Sequence, residues 1–383
     1  TLTLSFRVRK DGSPDAAREF IQGAAVAGAG IMGSLLAGCN KTTEQTPTAT
    51  TKAAKFDWKL VTTWPPNFPI FQEGVQRLAD DLRIMSDGRL NIQVFAGGEL
   101  VPALETFSAV SQGTVQMGHG AGYYWAGKAP AAQFFTAVPF GMNALGMMAW
   151  MTAGGGLELY REVYKPFNLV PFPVGNTGVQ MGGWFKKKIT SLDDLKGLKM
   201  RIPGLGGKVM AKAGVNPVLY PAGEIAPALE RGTIDAAEWV GPFHDVRLGL
   251  QRAAQHYYYP GWHEPGPMLE LIIHSAAWDS LPADLQRMVS TAASATSLWM
   301  LGEFEAKNQQ ALGTLRSEKK VTIQAFPPDV LRGLRRYTQE VLDEEAAKDA
   351  TFKKVYQAYR AFQKEHDAWS SISEEAYAQA TKS

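Results

Sequence analysis

The sequence predicts an α/β protein of two lobes with a long helical C-terminal extension, and three observations support this prediction. The chain has 383 residues, of which 45% are hydrophobic and 20% are charged, enough apolar material for two cores. Apolar strands alternate with amphipathic helices from Phe56 to about residue 285, which is typical of a largely parallel sheet. From Pro282 onward almost all of the sequence has helical periodicity, more helix than one lobe needs.

The first 39 residues have the three parts of a secretory signal peptide. Four basic residues precede an apolar run, rich in Gly and Ala, from Phe20 to Gly38. The run ends in Leu-Ala-Gly followed by Cys39, which resembles a bacterial lipobox, so we expect Cys39 to be lipidated and to become the mature N-terminus. A single transmembrane anchor is the alternative, although the run is only weakly hydrophobic for one. Ala17 stands where a twin-arginine export motif has its first arginine, so the export route stays open.

Residues 40–55 are polar, rich in Thr and without apolar periodicity, so we expect a flexible linker that tethers an exported domain near a membrane. Cys39 is the single cysteine of the chain, and its lipidation leaves no thiol for a disulfide, a thiolate metal site or a nucleophile. The 39 Lys and Arg residues against 37 Asp and Glu give a net charge of +2, which does not indicate a nucleic-acid partner. We therefore expect a small molecule as the partner.

The first lobe is expected to comprise residues 56–165 and 235–285. Residues 56–64 alternate in polarity and then meet two prolines, as a core strand entering a loop does. A helix follows from Phe71 to Met85, with a strand within residues 88–98, so the lobe begins as a βαβ unit. Another helix, residues 106–112, leads to a strand in residues 114–120, and residues 268–274 form a strongly apolar strand.

The second lobe is expected to comprise residues 166–234, followed later in the chain by a helical C-terminal region, residues 286–383. Residues 198–202 read as a strand that carries Arg201. A helix that ends near Gly232 leads to a short buried strand, residues 233–237, with Glu238 and Trp239 at its carboxyl end. The C-terminal helices are long enough to brace both lobes or a second subunit.

The local motifs that mark many enzyme active sites do not occur in the sequence. The six histidines form no HExxH pattern, and the pair His256 and His263 straddles a Tyr-rich turn, so zinc catalysis has little support. The glycine-rich segment at Gly204 lacks the spacing of a phosphate-binding loop, and no G-x-S-x-G elbow occurs. Together these observations favour a binding protein over an enzyme.

Polar side chains stand at the ends of predicted strands: Tyr123, Tyr124, Gln180, Arg201 and Glu238. Arg201 alternates with two apolar neighbours, so it either faces solvent or clamps a carboxylate in a bidentate fork. For Gln180 the sequence likewise leaves two positions possible, on the surface of a strand or in a cleft. A carboxylate ligand next to Glu238 would be repelled, so a pocket that holds both Arg201 and Glu238 needs another cation.

Residues 56–331 resemble the extracytoplasmic solute receptors of tripartite ATP-independent periplasmic (TRAP) transporters, the DctP-like family. Two segments carry the resemblance, in the family's order and at its separation: ITSLDDLKGLKMRIPG, from Ile189, and YPAGEIAPALERGTIDAAEWVGP, from Tyr220. The first looks like the segment with the family's carboxylate-binding arginine, which carries onto Arg201. The resemblance implies a periplasmic receptor with the two-lobed periplasmic-binding-protein fold. Such a receptor catalyses no reaction, closes on its ligand by hinge motion and delivers it to the membrane permease subunits.

The pair Glu238-Trp239 departs from the Gln-Asn-Pro-like residues that many dicarboxylate receptors of the family have here. It resembles the subgroup that binds a small 2-oxo or 2-hydroxy monocarboxylate, such as pyruvate, lactate or 2-oxobutyrate, through a sodium or calcium ion. The resemblance implies that the metal ligands are Gln180, Glu238 and the backbone carbonyl of Trp239, with Glu264 as a further oxygen ligand. Arg201 and the metal would then hold the ligand carboxylate together.

Tyr123 or Tyr124 can donate a hydroxyl hydrogen bond to the ligand, beside Gln180 and Trp239, or pack as a wall of the site. Two alternatives stay open: a receptor of the same fold for a dicarboxylate or larger organic acid without metal, and an exported enzyme with Glu238 as general base. Receptors of the subgroup can form homodimers through a swapped C-terminal helix, which the helical tail permits. The sequence does not choose sodium over calcium, since both ions accept the same oxygen donors, nor does it fix the acid.

Overall fold

The computed structural model describes residues 54–382, so the predicted signal peptide with Cys39 and most of the predicted linker lie outside the described residues. Within residues 54–382, the helices are either too short or too polar to cross a membrane. The strands of this part of the chain are β1 (Phe56–Thr62), β2 (Leu90–Phe95), β3 (Met117–Gly120), β4 (Leu169–Asn176), β5 (Gly183–Phe185), β6 (Lys199–Arg201), β7 (Asn216–Val218), β8 (Ala236–Ala237), β9 (His256–Tyr259), β10 (Met268–His274) and β11 (Thr322–Ala325).

Helices connect and cover these strands, and the predicted helix from Phe71 to Met85 is confirmed at both ends. The α-helices are α1 (Phe71–Met85), α2 (Thr106–Ser111), α3 (Ala144–Ala153), α4 (Gly156–Tyr164), α5 (Gly204–Lys212), α6 (Ala222–Glu230), α7 (Pro242–Leu248), α8 (Leu250–Ala253), α9 (Ser275–Ser280), α10 (Ala283–Glu318), α11 (Pro328–Lys348), α12 (Ala350–Ser370) and α13 (Glu374–Ala380). Short 3-10 turns lie between them, among them Gly122–Trp125 and Pro130–Phe135.

Lobe I is built on a five-stranded sheet with the order β2-β1-β3-β10-β4. β1 pairs in parallel with both β2 and β3, which confirms the predicted βαβ start, and β10 is antiparallel to β3 and β4. α1 and α10 pack on this lobe, and their apolar faces join those of the strands in a core that includes Leu60, Leu78, Met117, Leu271 and Leu285. Burial of these side chains is the main stabilising term of the lobe.

Lobe II is built on a six-stranded sheet with the order β11-β9-β5-β8-β6-β7. β6 is parallel to β7 and β8, whereas β5 is antiparallel to β8 and β9. Because β6 and β8 are adjacent and run in the same direction, the residues that follow each of them emerge at one edge of the sheet. The sequence-predicted site residues on these two strands therefore meet there.

The strands divide between the lobes differently from the sequence prediction. β4 was expected in lobe II but pairs with β10 in lobe I, whereas β8 and β9 were expected in lobe I but pair with β5 in lobe II. β11 also joins lobe II, although residues 286–383 were predicted as a helical region and no strand was expected there. Short buried strands share one apolar composition, and nothing in that local pattern specifies the partner strand, so the predicted boundaries were wrong here.

The C-terminal helices contact both lobes. α11 packs on α5 of lobe II, where Lys212 Nζ lies 3.1 Å from a carboxylate oxygen of Glu340 and 2.7 Å from one of Glu344. α12 packs on lobe I, where the Phe352 and Phe134 rings lie 4.7 Å apart and the buried Tyr359 hydroxyl accepts the Met142 N–H at 2.8 Å. The expectation that the tail braces both lobes is therefore confirmed for these two helices.

Candidate functional site

Neighbouring strands of lobe II place Arg201 and Glu238 side by side. Arg201 ends β6 and is opposite Ala237 of β8, so that the Glu238 N–H donates to the Arg201 carbonyl at 3.2 Å. Both side chains are buried, with 1% of Arg201 and 0% of Glu238 exposed. The alternative in which Arg201 faces solvent is excluded by this burial.

The Arg201 guanidinium is held by groups on both sides. Its Nη1 donates to the Glu238 carboxylate and to the Glu238 carbonyl at 3.0 Å, and its Nε donates to the Tyr220 carbonyl at 3.3 Å. Its Nη2 lies 3.4 Å from the hydroxyl of Tyr124, which belongs to lobe I. The Trp239 ring lies against the guanidinium, at 5.1 Å from its centroid to the guanidinium carbon. Arg201 is thus fixed in place and contacts both lobes.

A second segment brings Gln180 and Glu264 to the same place. The Gln180 N–H donates to the Glu264 carbonyl at 3.2 Å, and the Gly261 N–H donates to the Gln180 carbonyl at 2.8 Å. The Glu264 carboxylate accepts the Tyr123 hydroxyl at 3.3 Å. The Gln180 amide nitrogen donates to the Thr177 hydroxyl, which leaves the buried Gln180 Oε1 without a donor.

Burial and neighbouring charges shift the pKa values of Glu264, Arg201 and Tyr124. Burial raises the pKa of Glu264 well above its ordinary value, and the like charge of Glu238 adds to this effect. Burial opposes the charge of Arg201, but Glu238 and the two tyrosines outweigh it and raise the Arg201 pKa. The pKa of Tyr124 rises to about 12 because of burial, so this hydroxyl keeps its proton and remains a hydrogen-bond donor at neutral pH.

His263 is a site residue that the sequence analysis did not select. Its side chain is buried and its Nε2 lies 3.3 Å from a Glu238 carboxylate oxygen. One nitrogen of His263 and one oxygen each of Glu238 and Glu264 lie within 4.8 Å of one another. His263 was considered only as a zinc partner of His256, although its position immediately before Glu264 in the chain could have indicated it.

Trp239 has two groups of interest at the site, its indole side chain and its backbone carbonyl. Its indole packs edge-on against Trp64, Phe68 and Phe71 of lobe I, each at 6.2 Å between ring centroids, and so forms a wall between the lobes. An indole has only an N–H donor, so a cation can be held by the backbone carbonyl of Trp239 and not by its side chain.

The donor set fits a hard cation. Sodium and calcium prefer oxygen ligands, and Gln180 Oε1, the carboxylates of Glu238 and Glu264 and the Trp239 carbonyl supply that type of donor. The buried Gln180 Oε1 has no hydrogen-bond partner among the described residues, and a cation would satisfy it. Gln180, Glu238, Trp239 and Glu264 therefore lie on neighbouring segments, with Arg201 beside Glu238.

The chain is similar to several periplasmic solute-binding proteins. The chain is 47% identical over 320 residues to a monocarboxylate 2-oxoacid-binding periplasmic protein of Nostoc sp. (strain PCC 7120), which covers 84% of this chain and 87% of the relative. It is also similar to the structure of a TRAP periplasmic solute-binding protein from Pseudoalteromonas atlantica T6c with bound sodium and pyruvate. The two proteins are 44% identical in sequence, and their structures superpose with a TM-score of 0.83 over 85% of this chain and 99% of the Pseudoalteromonas atlantica chain.

A third similar protein is a TRAP transporter solute-binding protein from Bordetella bronchiseptica RB50. Its structure is a mixed-occupancy dimer with copurified calcium and picolinate in one active site, at 38% identity and a TM-score of 0.84 over 86% of this chain and 97% of the other. The family profile of bacterial extracellular solute-binding proteins matches residues 60–349 of this chain. The chain therefore belongs to the DctP family, family 7 of the bacterial extracellular solute-binding proteins, whose members are receptors and not enzymes.

Proposed function

We propose that this protein is the periplasmic receptor of a TRAP transporter, which captures a small 2-oxo monocarboxylate together with a sodium or calcium ion and delivers it to the membrane permease. The observation that carries the proposal is the buried group of Arg201, Glu238, Glu264 and Gln180 at the junction of the lobes. The three relatives described above bind 2-oxoacids or hold a cation with a carboxylate, which supports the same chemistry here.

The charges of the site favour a cation. With both carboxylates ionised, Arg201, Glu238 and Glu264 carry a net charge of −1, and a monocarboxylate would increase it to −2 in a buried site. One calcium ion would bring this set of charges to zero, and one sodium ion would bring it to −1. A dicarboxylate without metal would add two negative charges to the same site, which is the least favourable of these combinations.

A cation also selects the class of acid. A 2-oxo or 2-hydroxy acid has an oxygen on the carbon next to its carboxylate, so both oxygens can bind one cation. The cation would be held by Gln180, Glu238, Glu264 and the Trp239 carbonyl, and it would supply positive charge to the ligand. The protein's own part is that Arg201 donates to the ligand carboxylate, Tyr124 contributes a neutral donor, and the Trp239 wall excludes water.

Calorimetry with pyruvate, lactate, 2-oxobutyrate and succinate, each with and without sodium or calcium, tests the proposal. We expect the monocarboxylates to bind only when a cation is present, with 2-oxoacids tightest. Tight binding of succinate that does not depend on metal would contradict the metal-assisted function. Chemical turnover of any of these acids by the purified protein would instead support an enzyme with Glu238 as base.

Two finer features complete the proposed function. Lipidation of Cys39 would hold the receptor near the permease, and mass spectrometry of the exported protein tests it by the mass of a diacyl or triacyl group. The chain would also form a homodimer through its C-terminal end, where Trp369, Ile372 and Tyr377 are 65%, 74% and 71% exposed. The dimer of the Bordetella bronchiseptica relative supports this second feature.

A further inference from the structure

Asp245, in the first turn of α7, is a buried carboxylate outside the proposed ligand set. Its Oδ1 accepts the backbone N–H groups of Val240 and Gly241, both at 3.1 Å. Its Oδ2 accepts the Trp184 indole N–H at 2.9 Å and the Tyr257 hydroxyl at 2.7 Å. All four partners are neutral, so hydrogen bonds alone hold a carboxylate that is 1% exposed.

A buried negative charge without a cationic partner is unfavourable, and a second buried carboxylate makes it more so. Burial raises the pKa of Asp245 to about 6 in spite of its four donors, and Glu238 contributes in the same direction. The carboxylate is nevertheless ionised at pH 8. A cation bound beside Glu238 would weaken the repulsion between these two carboxylates.

The hydrogen bond from Val240 also fixes the orientation of a proposed cation ligand. The Val240 N–H belongs to the same peptide unit as the Trp239 carbonyl, and a trans peptide points these two groups in opposite directions. The Trp239 carbonyl oxygen is therefore turned away from Asp245. Within residues 54–382 it accepts none of the backbone hydrogen bonds found outside helices and strands.

We propose that Asp245 is a positioning residue for the bound cation, which acts through the Trp239–Val240 peptide. It holds the peptide so that the Trp239 carbonyl faces the ion, and its charge increases the negative charge on that carbonyl oxygen through the hydrogen bond. This inference rests on the proposed function, because it concerns the same cation. It identifies Asp245 as a residue on which cation affinity depends without direct contact to the ion.

The experiment compares the full chain with two variants at pH 8. Asp245→Asn removes the charge, and Tyr257→Phe removes one hydrogen bond to Oδ2 while the bonds from Val240 and Gly241 to Oδ1 remain. Calcium is titrated into each protein in the presence of excess pyruvate, and chemical denaturation is measured in the presence of chelator. We expect calcium affinity to fall at least tenfold for Asp245→Asn and less than threefold for Tyr257→Phe, even where Tyr257→Phe lowers stability.

Each outcome decides the inference. The inference is overturned if the unmodified chain and Asp245→Asn bind calcium equally well. It is also overturned if both variants lose calcium affinity in proportion to their loss of stability, because Asp245 then has a structural role only. In either case the proposed function stands. If the unmodified chain binds neither calcium nor sodium, the proposed function and the inference fail together. If Asp245→Asn does not fold, Asp245→Glu is tested instead, because it keeps the charge but moves the carboxylate. We expect its calcium affinity to fall at least threefold, and an unchanged calcium affinity overturns the inference.

Discussion

Arg201 and Glu238 form a buried ion pair whose presence is better explained by ligand binding than by stability. Removing two charges from water costs several kcal/mol per ion, and a well-packed apolar pair of similar size is often as stable or more so. The guanidinium has further donors directed at Tyr124 and the junction of the lobes, which an apolar residue would lack. The pair therefore keeps a positive charge available where an organic anion can enter.

Replacement of this guanidinium is the most direct test at the residue scale. We expect Arg201→Ala to weaken binding of pyruvate by at least about 100-fold and to lower the free energy of unfolding by roughly 3–5 kcal/mol, because Glu238 loses its buried partner. Calorimetry and chemical denaturation measure the two effects. Arg77→Ala is the matched control, since Arg77 also lies over an indole, that of Trp299 at 5.3 Å, but is exposed. Unchanged pyruvate affinity in Arg201→Ala would contradict the assigned role.

Glu270 is a second buried carboxylate whose environment makes stability depend on pH. It accepts the hydroxyls of Tyr160 and Tyr164, the latter at 2.6 Å, and burial raises its pKa to about 7 from an ordinary value of 4.5. The folded state binds the Glu270 carboxyl proton more tightly than the unfolded state does. Protonation of Glu270 therefore stabilises the folded state fully below pH 4.5, and this stabilisation is lost as the pH rises through 7. Glu270 therefore makes the protein less stable at pH 8 than at pH 5.

Glu270→Gln removes this titration. From pH 5 to pH 8 we expect the free energy of unfolding of the variant to rise by roughly 2 to 3 kcal/mol relative to the unmodified protein. Chemical denaturation at both pH values gives this difference, in which any pH-independent effect of the substitution cancels. Glu158→Gln, which replaces an exposed carboxylate of α4, serves as the control. Parallel pH dependence of the Glu270→Gln variant and the unmodified protein would refute the raised pKa.

At the scale of the element, α5 begins at a position where the lobes approach closely. Gly204, the first residue of α5, has a φ of +58°, and a Cβ there would lie 2.8 Å from the Cβ of Tyr123 and 3.2 Å from Oε1 of Gln133, both in lobe I. Real Cβ atoms do not tolerate the first of these distances. A side chain at position 204 would therefore hold the lobes apart.

We expect Gly204→Ala to weaken pyruvate binding at least tenfold, since Arg201 contacts Tyr124 across the same junction of the lobes. Gly197→Ala is the matched control: Gly197 has a similar φ of +77° but nothing within 4 Å of its added Cβ. Both variants should lose about 1–2 kcal/mol of stability through the left-handed backbone, and only Gly204→Ala should lose affinity. Calorimetry that finds equal affinities in the two variants would contradict a role of Gly204 in closure.

At the scale of the whole molecule, the C-terminal region has one face that packs on the lobes and another that is exposed and apolar. α11 and α12 pack on lobe II and lobe I respectively, and their buried faces belong to the core. Beyond them Trp369, Ile372 and Tyr377 remain exposed on the end of α12, the following turn and α13. A monomer gains nothing from three large apolar side chains in water, whereas a second copy of the chain can bury them.

Sedimentation velocity tests this surface. The combined substitution Trp369→Ser, Ile372→Ser and Tyr377→Ser should shift the protein from dimer to monomer while pyruvate affinity stays within about threefold, because the site lies at the junction of the lobes. Leu298→Ser on α10 is the control, since Leu298 is 72% exposed and lies outside this segment. A monomeric unmodified chain, or a dimer that survives the triple substitution, would refute the proposed interface.

Local sequence determined the elements that depend on neighbours in the chain. The periodicity of residues 71–85 and 268–274 fixed α1 and β10 at their observed ends, because an amphipathic helix and a buried strand bury apolar side chains with different repeats. The two family-like segments identified the receptor family, and they contain Arg201 and Glu238 of the candidate site. Both kinds of information are contained in short, contiguous stretches.

The tertiary structure alone decided which strands share a sheet and which side chains share the site. β8 has two residues, and its place between β5 and β6 depends on partners far away in the chain. His263 was missed for the same reason, since its contact with Glu238 joins two segments that are separate in the chain. Hydrogen bonds and charge interactions act across space, so a sequence shows the groups that can make them but not which of them meet.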